Sequence, residues 1–275
     1  MSLVPAVTLN DGHAIPQFGL GVFLMRPDVT ASLVSTALEL GYRHIDTAAI
    51  YRNEQGVGRA IAASGIPRED LFVTTKLWND RHRRAAALGE IDKSLDRLGL
   101  DYVDLYLIHW PAPSRNDYVE AWQALEEIRS TGKARSIGVS NFSETHLRRV
   151  VAASQTVPAV NQIEVHPTFP QVPLVATNDE LGIKTESWSP LGRRADLDHP
   201  VVLDVARQVG RTPAQVILRW HIQRGLIVFP KASSRARLAE NLDIFDFALA
   251  DDQMAALSGL DRGNRIGPNP DTFAG

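Results

Sequence analysis

The sequence predicts an α/β protein folded as one (β/α)8 barrel over residues 1–275, with a short N-terminal β-hairpin closing the bottom. Three observations predict it. Short apolar strands alternate with amphipathic helices, and eight such strands are the number that closes a parallel barrel. The chain has 275 residues, and this fold typically needs about 250. No low-complexity segment and no Pro- or Ser-rich linker divides the chain. An open doubly wound sheet is the rival. It usually carries a Gly-rich phosphate loop after its first strand, whereas Gly19-Leu20-Gly21 lacks a third glycine and a helix start.

The elements follow in order. Residues 7–15 read as a hairpin turning at Asn10-Asp11-Gly12. Strands are predicted over 18–21, 44–46, 71–75, 103–108, 134–138, 159–163, 184–187 and 226–229. The second shows why: Tyr42-Arg43-His44-Ile45-Asp46 alternates with the period of a strand. Helical patterns fill 30–40, 54–64, 85–98, 117–130, 144–153, 174–181 and 200–224. Glu54 opens one of them and Gly65-Ile66-Pro67 ends it. Pro213 splits the last into two helices, with Thr212 as N-cap and Pro213 in the first turn. A short helix is expected near Arg237, and the Gly-, Pro- and Asn-rich tail 263–275 reads as an irregular arm over the barrel.

Composition narrows the class. Apolar residues are 44% and charged residues 22%, ordinary for a globular protein. The net charge is −3, and no basic run suggests nucleic acid. There is no cysteine, which excludes disulfides and thiolate chemistry and fits a cytoplasmic protein. Asp11, His13, Pro16 and Arg26 interrupt any apolar leader, and no apolar run is long enough to span a membrane.

The residues at the strand ends carry the functional signal. They are Asp46, Lys76, His109, Ser140 with Asn141, Gln162, Trp188 and Lys231. A barrel converges all of them on one face. Each alone has a bland reading, as a buried Asp, a surface lysine or a core histidine. Together with Tyr51, five residues past Asp46, they form an acid–base constellation. Free tyrosine titrates near ~10, and a lysine ammonium beside it lowers that value. Asp46 would keep Lys76 charged, and His109 would polarise a bound carbonyl.

The motifs GYRHIDTAAIY with NEQGVG, TTKLWND, DLYLIHWP, GVSNF, NQIEVHP and VFPKASSRARLAENLDIFDF occur in this order over nearly the whole chain. In them the sequence resembles the aldo-keto reductases. Through VFLM, TTKLWNDRH and TPAQVILRWHIQRG it is most similar to the bacterial 2,5-diketo-D-gluconate reductase type. The resemblance implies a (β/α)8 barrel that binds NADPH extended and reduces aldehydes or ketones. It implies a catalytic set of Asp46, Tyr51, Lys76 and His109, with Tyr51 as general acid. Ser140, Asn141 and Gln162 match residues that bond the nicotinamide carboxamide, and Trp188 matches the aromatic stacked on that ring. Ser189, Leu191 and Gly192 match the pyrophosphate segment. Lys231, Ser233, Arg237, Glu240 and Asn241 match the adenosine end. Relatives often have Ser directly after that lysine. Ala232 stands here, so one hydroxyl to the 2′-phosphate is missing while NADPH preference is expected to survive.

The substrate mouth corresponds to Phe23, Trp78, His109 and Trp110, with Arg193, Arg194, His199 and the tail shaping the rest. For Trp110, plain barrel packing is an equal reading. Small aldehydes, α-dicarbonyls and keto-sugar acids such as 2,5-diketo-D-gluconate are the expected substrates, and a monomer is the expected state. No metal is expected, because histidines 13, 44, 82, 109, 146, 166, 199 and 221 show no ligand spacing. His166-Pro167 reads as structural. Two alternatives stand beside this reading. A Schiff-base aldolase using Lys76 would need a neutral lysine, which Asp46 opposes. A non-catalytic NADP(H)-sensing barrel subunit would not need the intact set.

Overall fold

The computed structural model describes residues 4–275. Strands β1 (Ala6–Thr8) and β2 (Ala14–Pro16) form the antiparallel hairpin, with Val7 opposite Ile15. Gly12 takes φ 88° in the turn, where a side chain is strained.

Eight strands then follow, each parallel to the next: β3 (Leu20–Gly21), β4 (His44–Asp46), β5 (Phe72–Leu77), β6 (Val103–Ile108), β7 (Ala134–Ser140), β8 (Val160–Glu164), β9 (Lys184–Trp188) and β10 (Ile227–Val228). The first and last meet. Phe18 bridges Val228, the Gly19 N–H donates to the Val228 carbonyl at 2.9 Å, and the Val228 N–H donates to that of Gln17 at 3.0 Å. The sheet therefore curls into a barrel-like ring. Gly19-Leu20-Gly21 belongs to this seam: an added Cβ would lie 2.7 Å from His44 Cγ at Gly19 and 2.7 Å from the Phe229 carbonyl at Gly21. Close packing, and not a phosphate loop, explains these glycines.

Helices α1 (Pro27–Glu39), α2 (Glu54–Ala63), α3 (Arg84–Leu98), α4 (Tyr118–Ser130), α5 (Glu144–Ala152) and α6 (Val172–Glu180) alternate with the strands, and α7 (Pro200–Val209) and α8 (Pro213–Gln223) both lie between β9 and β10. Thr212 caps α8 as expected. Its Oγ1 accepts from the Gln215 N–H, and Gln215 Oε1 accepts from the Thr212 N–H. Such a capping residue is worth ~1 kcal/mol. After β10 come α9 (Arg235–Leu242) and α10 (Asp251–Ser258). No helix is expected from the sequence at α10, whose single buried residue is Leu257. The tail beyond it has no regular secondary structure.

Strand alternation sorts the barrel interior into levels. Phe72, Leu105, Leu107, Val160 and Ile227 pack with Leu9 and Ile15 of the hairpin segment. Most of these stand at the N-terminal ends of their strands, so the hairpin lies against that end. Moving two residues along, apolar side chains give way to buried polar ones: His44 and Asp46, Thr74 and Lys76, Gln162 and Glu164, Glu186. Four strands run further than predicted, through Lys76, Ser140, Glu164 and Trp188. These residues are therefore held by ladder hydrogen bonds rather than by loops.

Candidate active site

The polar level ends in one cluster. Lys76 Nζ donates to Asp46 Oδ1 at 2.7 Å, to Oδ2 at 2.8 Å and to the Thr47 carbonyl at 2.9 Å. It also lies 5.1 Å from the centroid of the Tyr51 ring. The Tyr51 ring packs edge-on to His109 at 5.6 Å and against Phe23 at 5.0 Å, and Trp78 meets His109 at 5.0 Å. Asp46, Tyr51, Lys76 and His109 are thus brought together, with Phe23 and Trp78 around them.

Local backbone chemistry fixes Tyr51. It ends a single 3₁₀ turn, Ala49–Tyr51, that Arg52 closes in the left-handed region. Asn53 then pins the loop: its Nδ2 donates to the Val22 and Met25 carbonyls, and its Oδ1 accepts from Thr47 Oγ1. The same contacts hold the segment bearing Phe23.

Burial governs the ionisation of the cluster. It works against the charge on Lys76, but Asp46, Tyr51 and Glu186 overcome it, and the ammonium is held above its ordinary value. Burial raises Asp46, with Lys76 and Gln162 opposing. For His109, burial and then the Lys76 charge push the ring well below its usual range, so it is neutral at physiological pH. Its buried Nδ1 has no hydrogen-bond partner. One expectation is corrected. Lys76 does pull the Tyr51 phenol down, but burial outweighs it and the phenol stands above its ordinary value.

The expected cofactor residues line the same end. Ser140 Oγ donates to the Gln162 carbonyl at 2.9 Å, and Asn141 Nδ2 donates to the His109 carbonyl at 2.9 Å. Trp188 Nε1 donates to Asn141 Oδ1 at 2.8 Å. Beyond Trp188 the backbone takes positive φ at Ser189 (49°), Gly192 (56°), Arg193 (48°) and Arg194 (79°). Non-glycine residues in that region are costly and gather at ligand clamps. Lys231, Ser233 and Arg237 are exposed, whereas Asn241 is buried. Arg237 Nη1 is paired with Glu240 Oε2 at 2.7 Å, and Glu240 Oε1 accepts from Thr212 Oγ1. The set offers carboxamide partners, an aromatic face and two cations for a phosphate, a chemistry that fits a nicotinamide dinucleotide phosphate.

The tail lies over this end. Phe273 packs against Trp110 with ring centroids 4.6 Å apart and the rings tilted, and Trp110 is nearly buried. Glu164 accepts from the Ile266 N–H at 2.6 Å and the Gly267 N–H at 2.8 Å. His166 stands between Glu164 (3.1 Å) and Asp196 (2.8 Å), in agreement with its structural reading. Glu186 was not anticipated. It is fully buried and accepts from Gln162 Nε2 at 2.9 Å, the atom that also donates to Asp46 at 2.9 Å. Its signal was its register, two residues before Trp188 on the inward face. A cavity of about 190 Å³ at the hairpin end is lined by His13, Phe72, Asp104 and Arg135. Its Asp104 is held by Arg68, Arg135 and the Val73 N–H, so this end lacks the convergence seen around Tyr51. No group of three or more His, Asp or Glu residues placed to hold a metal ion occurs among the described residues. No helix among them is long and apolar enough to cross a membrane.

Residues 18–262 match the model of the aldo/keto reductase family. The chain belongs to that family. It is 52% identical over 269 residues to an aldo-keto reductase of Mycolicibacterium smegmatis, covering 98% of each chain. It is 50% identical to morphine 6-dehydrogenase of Pseudomonas putida, over 97% of this chain and 94% of that one. It is 46% identical to methylglyoxal reductase DkgA of Escherichia coli, over 98% of each. A Gox0644 mutant solved in complex with NADPH superposes with a TM-score of 0.95 at 45% identity, over 98% of each chain. As an aldo/keto reductase the chain is an oxidoreductase, and Asp46, Tyr51, Lys76 and His109 lie together at the end of its barrel-like sheet away from the hairpin.

Proposed function

We propose that this protein reduces aldehydes and ketones to alcohols with NADPH, using Tyr51 as general acid. One observation carries the reading: a buried Lys76–Asp46 ion pair lies beneath the Tyr51 ring, and a neutral His109 lies beside it. NADPH, when bound, supplies the hydride. Ser140, Asn141 and Gln162 would bond its carboxamide and Trp188 would face its ring. Ser189, Leu191 and Gly192 would hold the pyrophosphate. Lys231, Ser233, Arg237, Glu240 and Asn241 would hold the adenosine end.

The chain's own part is the proton. As the carbonyl carbon is reduced, its oxygen gains negative charge. Tyr51 gives that oxygen its phenolic proton and becomes a phenolate. Lys76 stabilises the phenolate, and Asp46 keeps Lys76 charged and in place. Neutral His109 donates a hydrogen bond to the carbonyl oxygen and orients it. Protonation from water resets Tyr51. A Schiff-base role for Lys76 is disfavoured, because that chemistry needs a neutral amine and this ammonium is held protonated.

The relatives' names include both a small dicarbonyl and a polycyclic alcohol, so identity alone does not choose a substrate. The mouth does favour one. Phe23, Trp78 and Trp110 with Phe273 crowd the reacting end with aromatic walls. Small aldehydes and α-dicarbonyls such as methylglyoxal fit that crowding, with 2,5-diketo-D-gluconate the largest substrate in this reading. The protein is further read as a monomeric, cytoplasmic single domain, a closed barrel plugged by its hairpin. The test is consumption of NADPH by purified protein against a panel of aldehydes, α-dicarbonyls and keto sugars. Activity confined to polycyclic ketones would refute the substrate class, and no consumption with any carbonyl would refute the reaction.

A further inference from the structure

Around Gln162 lie two buried carboxylic groups, Asp46 and Glu186, and one cation, Lys76. Asp46 and Glu186 both accept from the single nitrogen Gln162 Nε2, each at 2.9 Å. Lys76 spends its hydrogen bonds on Asp46 and the Thr47 carbonyl. Glu186 receives none of them. Its Oε1 is buried without a hydrogen-bond partner. His44 Nε2 lies 3.8 Å from that oxygen, beyond hydrogen-bond distance. His44 is itself neutral, because burial pulls it down to about 3. On the other flank, β10 places Ile227 opposite Glu186 in register. The groups facing Glu186 are therefore a neutral amide, a neutral imidazole, the Asp46 carboxylate and a lysine already paired.

We propose that Glu186 is a positioning residue for the reaction: as a neutral acid it leaves Asp46 the only carboxylate in the network, and its deprotonation slows turnover at alkaline pH. This rests on the reading of Tyr51 as the acid. Two carboxylates sharing one site do not both ionise readily. A buried oxygen lacking a partner is far less costly on a neutral acid than on an anion. Burial first, and then the Asp46 charge, raise Glu186 to about 8. When its proton leaves, a second negative charge enters the network. Gln162 then bridges two anions, and the Lys76 charge that steadies the Tyr51 phenolate is partly cancelled. The phenol becomes a poorer acid for reduction and is harder to ionise for the reverse oxidation.

The experiment has two arms. In the first, protein labelled with 13C at the glutamate side-chain carboxyl carbon is titrated by NMR, with and without saturating NADP+. One glutamate should titrate near pH 8, and its signal should vanish in Glu186→Gln. In the second, kcat for carbonyl reduction is compared at pH 7 and 9. About nine-tenths of an acid is ionised one pH unit above its pKa, so the wild-type ratio should fall by about tenfold. In Glu186→Gln it should change by less than about twofold. If every glutamate of the wild-type protein titrates in the ordinary carboxylate range, the proposal is overturned, and that outcome needs no variant. It is equally overturned if the alkaline loss persists unchanged in Glu186→Gln. An active Tyr51→Phe enzyme would instead sink the assignment of the acid, while leaving the NMR titration of Glu186 as it stands.

Discussion

Lys76 Nζ reaches both carboxylate oxygens of Asp46, at 2.7 and 2.8 Å, with both side chains sealed from solvent. A buried pair of this kind is worth little against an apolar substitute, but removing one partner strands a charge. Asp46→Ala should therefore cost about 3–5 kcal/mol of stability in denaturant unfolding. The double variant Asp46→Ala with Lys76→Met should recover most of that loss and remain inactive. A single variant as stable as wild type would mean that Lys76 is not charged in the folded protein.

In the proposed reading, cofactor choice follows from the cations after β10, Lys231 and Arg237. A charge-assisted hydrogen bond contributes roughly 1.5–3 kcal/mol, so Lys231→Ala and Arg237→Ala should each weaken NADPH binding by about 10- to 100-fold. NADH lacks the 2′-phosphate, and its binding should change little. Arg237 is held by Glu240 at 2.7 Å, and a phosphate must compete with that pair. Glu240→Gln should therefore leave Arg237 with less to give up. Comparing kcat/KM for NADPH and NADH in the three variants checks this. Unchanged ratios in both alanine variants would remove the 2′-phosphate from this site.

Much of this architecture is legible in the sequence. The strand–helix alternation placed Asp46, Lys76, His109 and Trp188 at one end, and the interior levels show why: every second residue of a strand points inward. Strand ends were read short at Lys76, Ser140 and Trp188, because polar residues look like loop. Here they are buried, and their partners lie on other strands. Glu186 does fall inside the strand predicted over 184–187, but its burial is not legible there. A glutamate in Lys184-Thr185-Glu186-Ser187-Trp188 reads as solvated until Gln162 and Asp46 are seen beside it. The Phe273–Trp110 contact joins residues far apart in the chain across an irregular tail, which has no periodicity to read.

Buried groups also set how stability depends on pH. Burial lowers His44 and His221 to about 3 from 6.5. Between those values the unfolded chain holds more protons, so stability falls as pH drops from 6.5 toward 3. Glu186 is raised to about 8 from 4.5, so the folded chain holds its proton longer and stability falls as pH rises through that window. Two histidines acting against one acid put the maximum set by these groups near pH 6.5. Thermal unfolding followed across mildly acid to mildly alkaline buffers should show Tm highest there. A Tm still climbing above pH 8 would contradict the assignment of a neutral Glu186.

The most direct test of the central claim is Tyr51→Phe, with turnover and NADPH binding measured on the same preparation. The phenylalanine keeps the ring that packs on Phe23 and His109 and removes only the proton donor. Losing a general acid typically costs about 10²–10⁴ in rate. Carbonyl-dependent NADPH oxidation should fall by that much, while quenching of protein fluorescence by NADPH should report unchanged affinity. Turnover within about twofold of wild type, with affinity intact, would contradict the account.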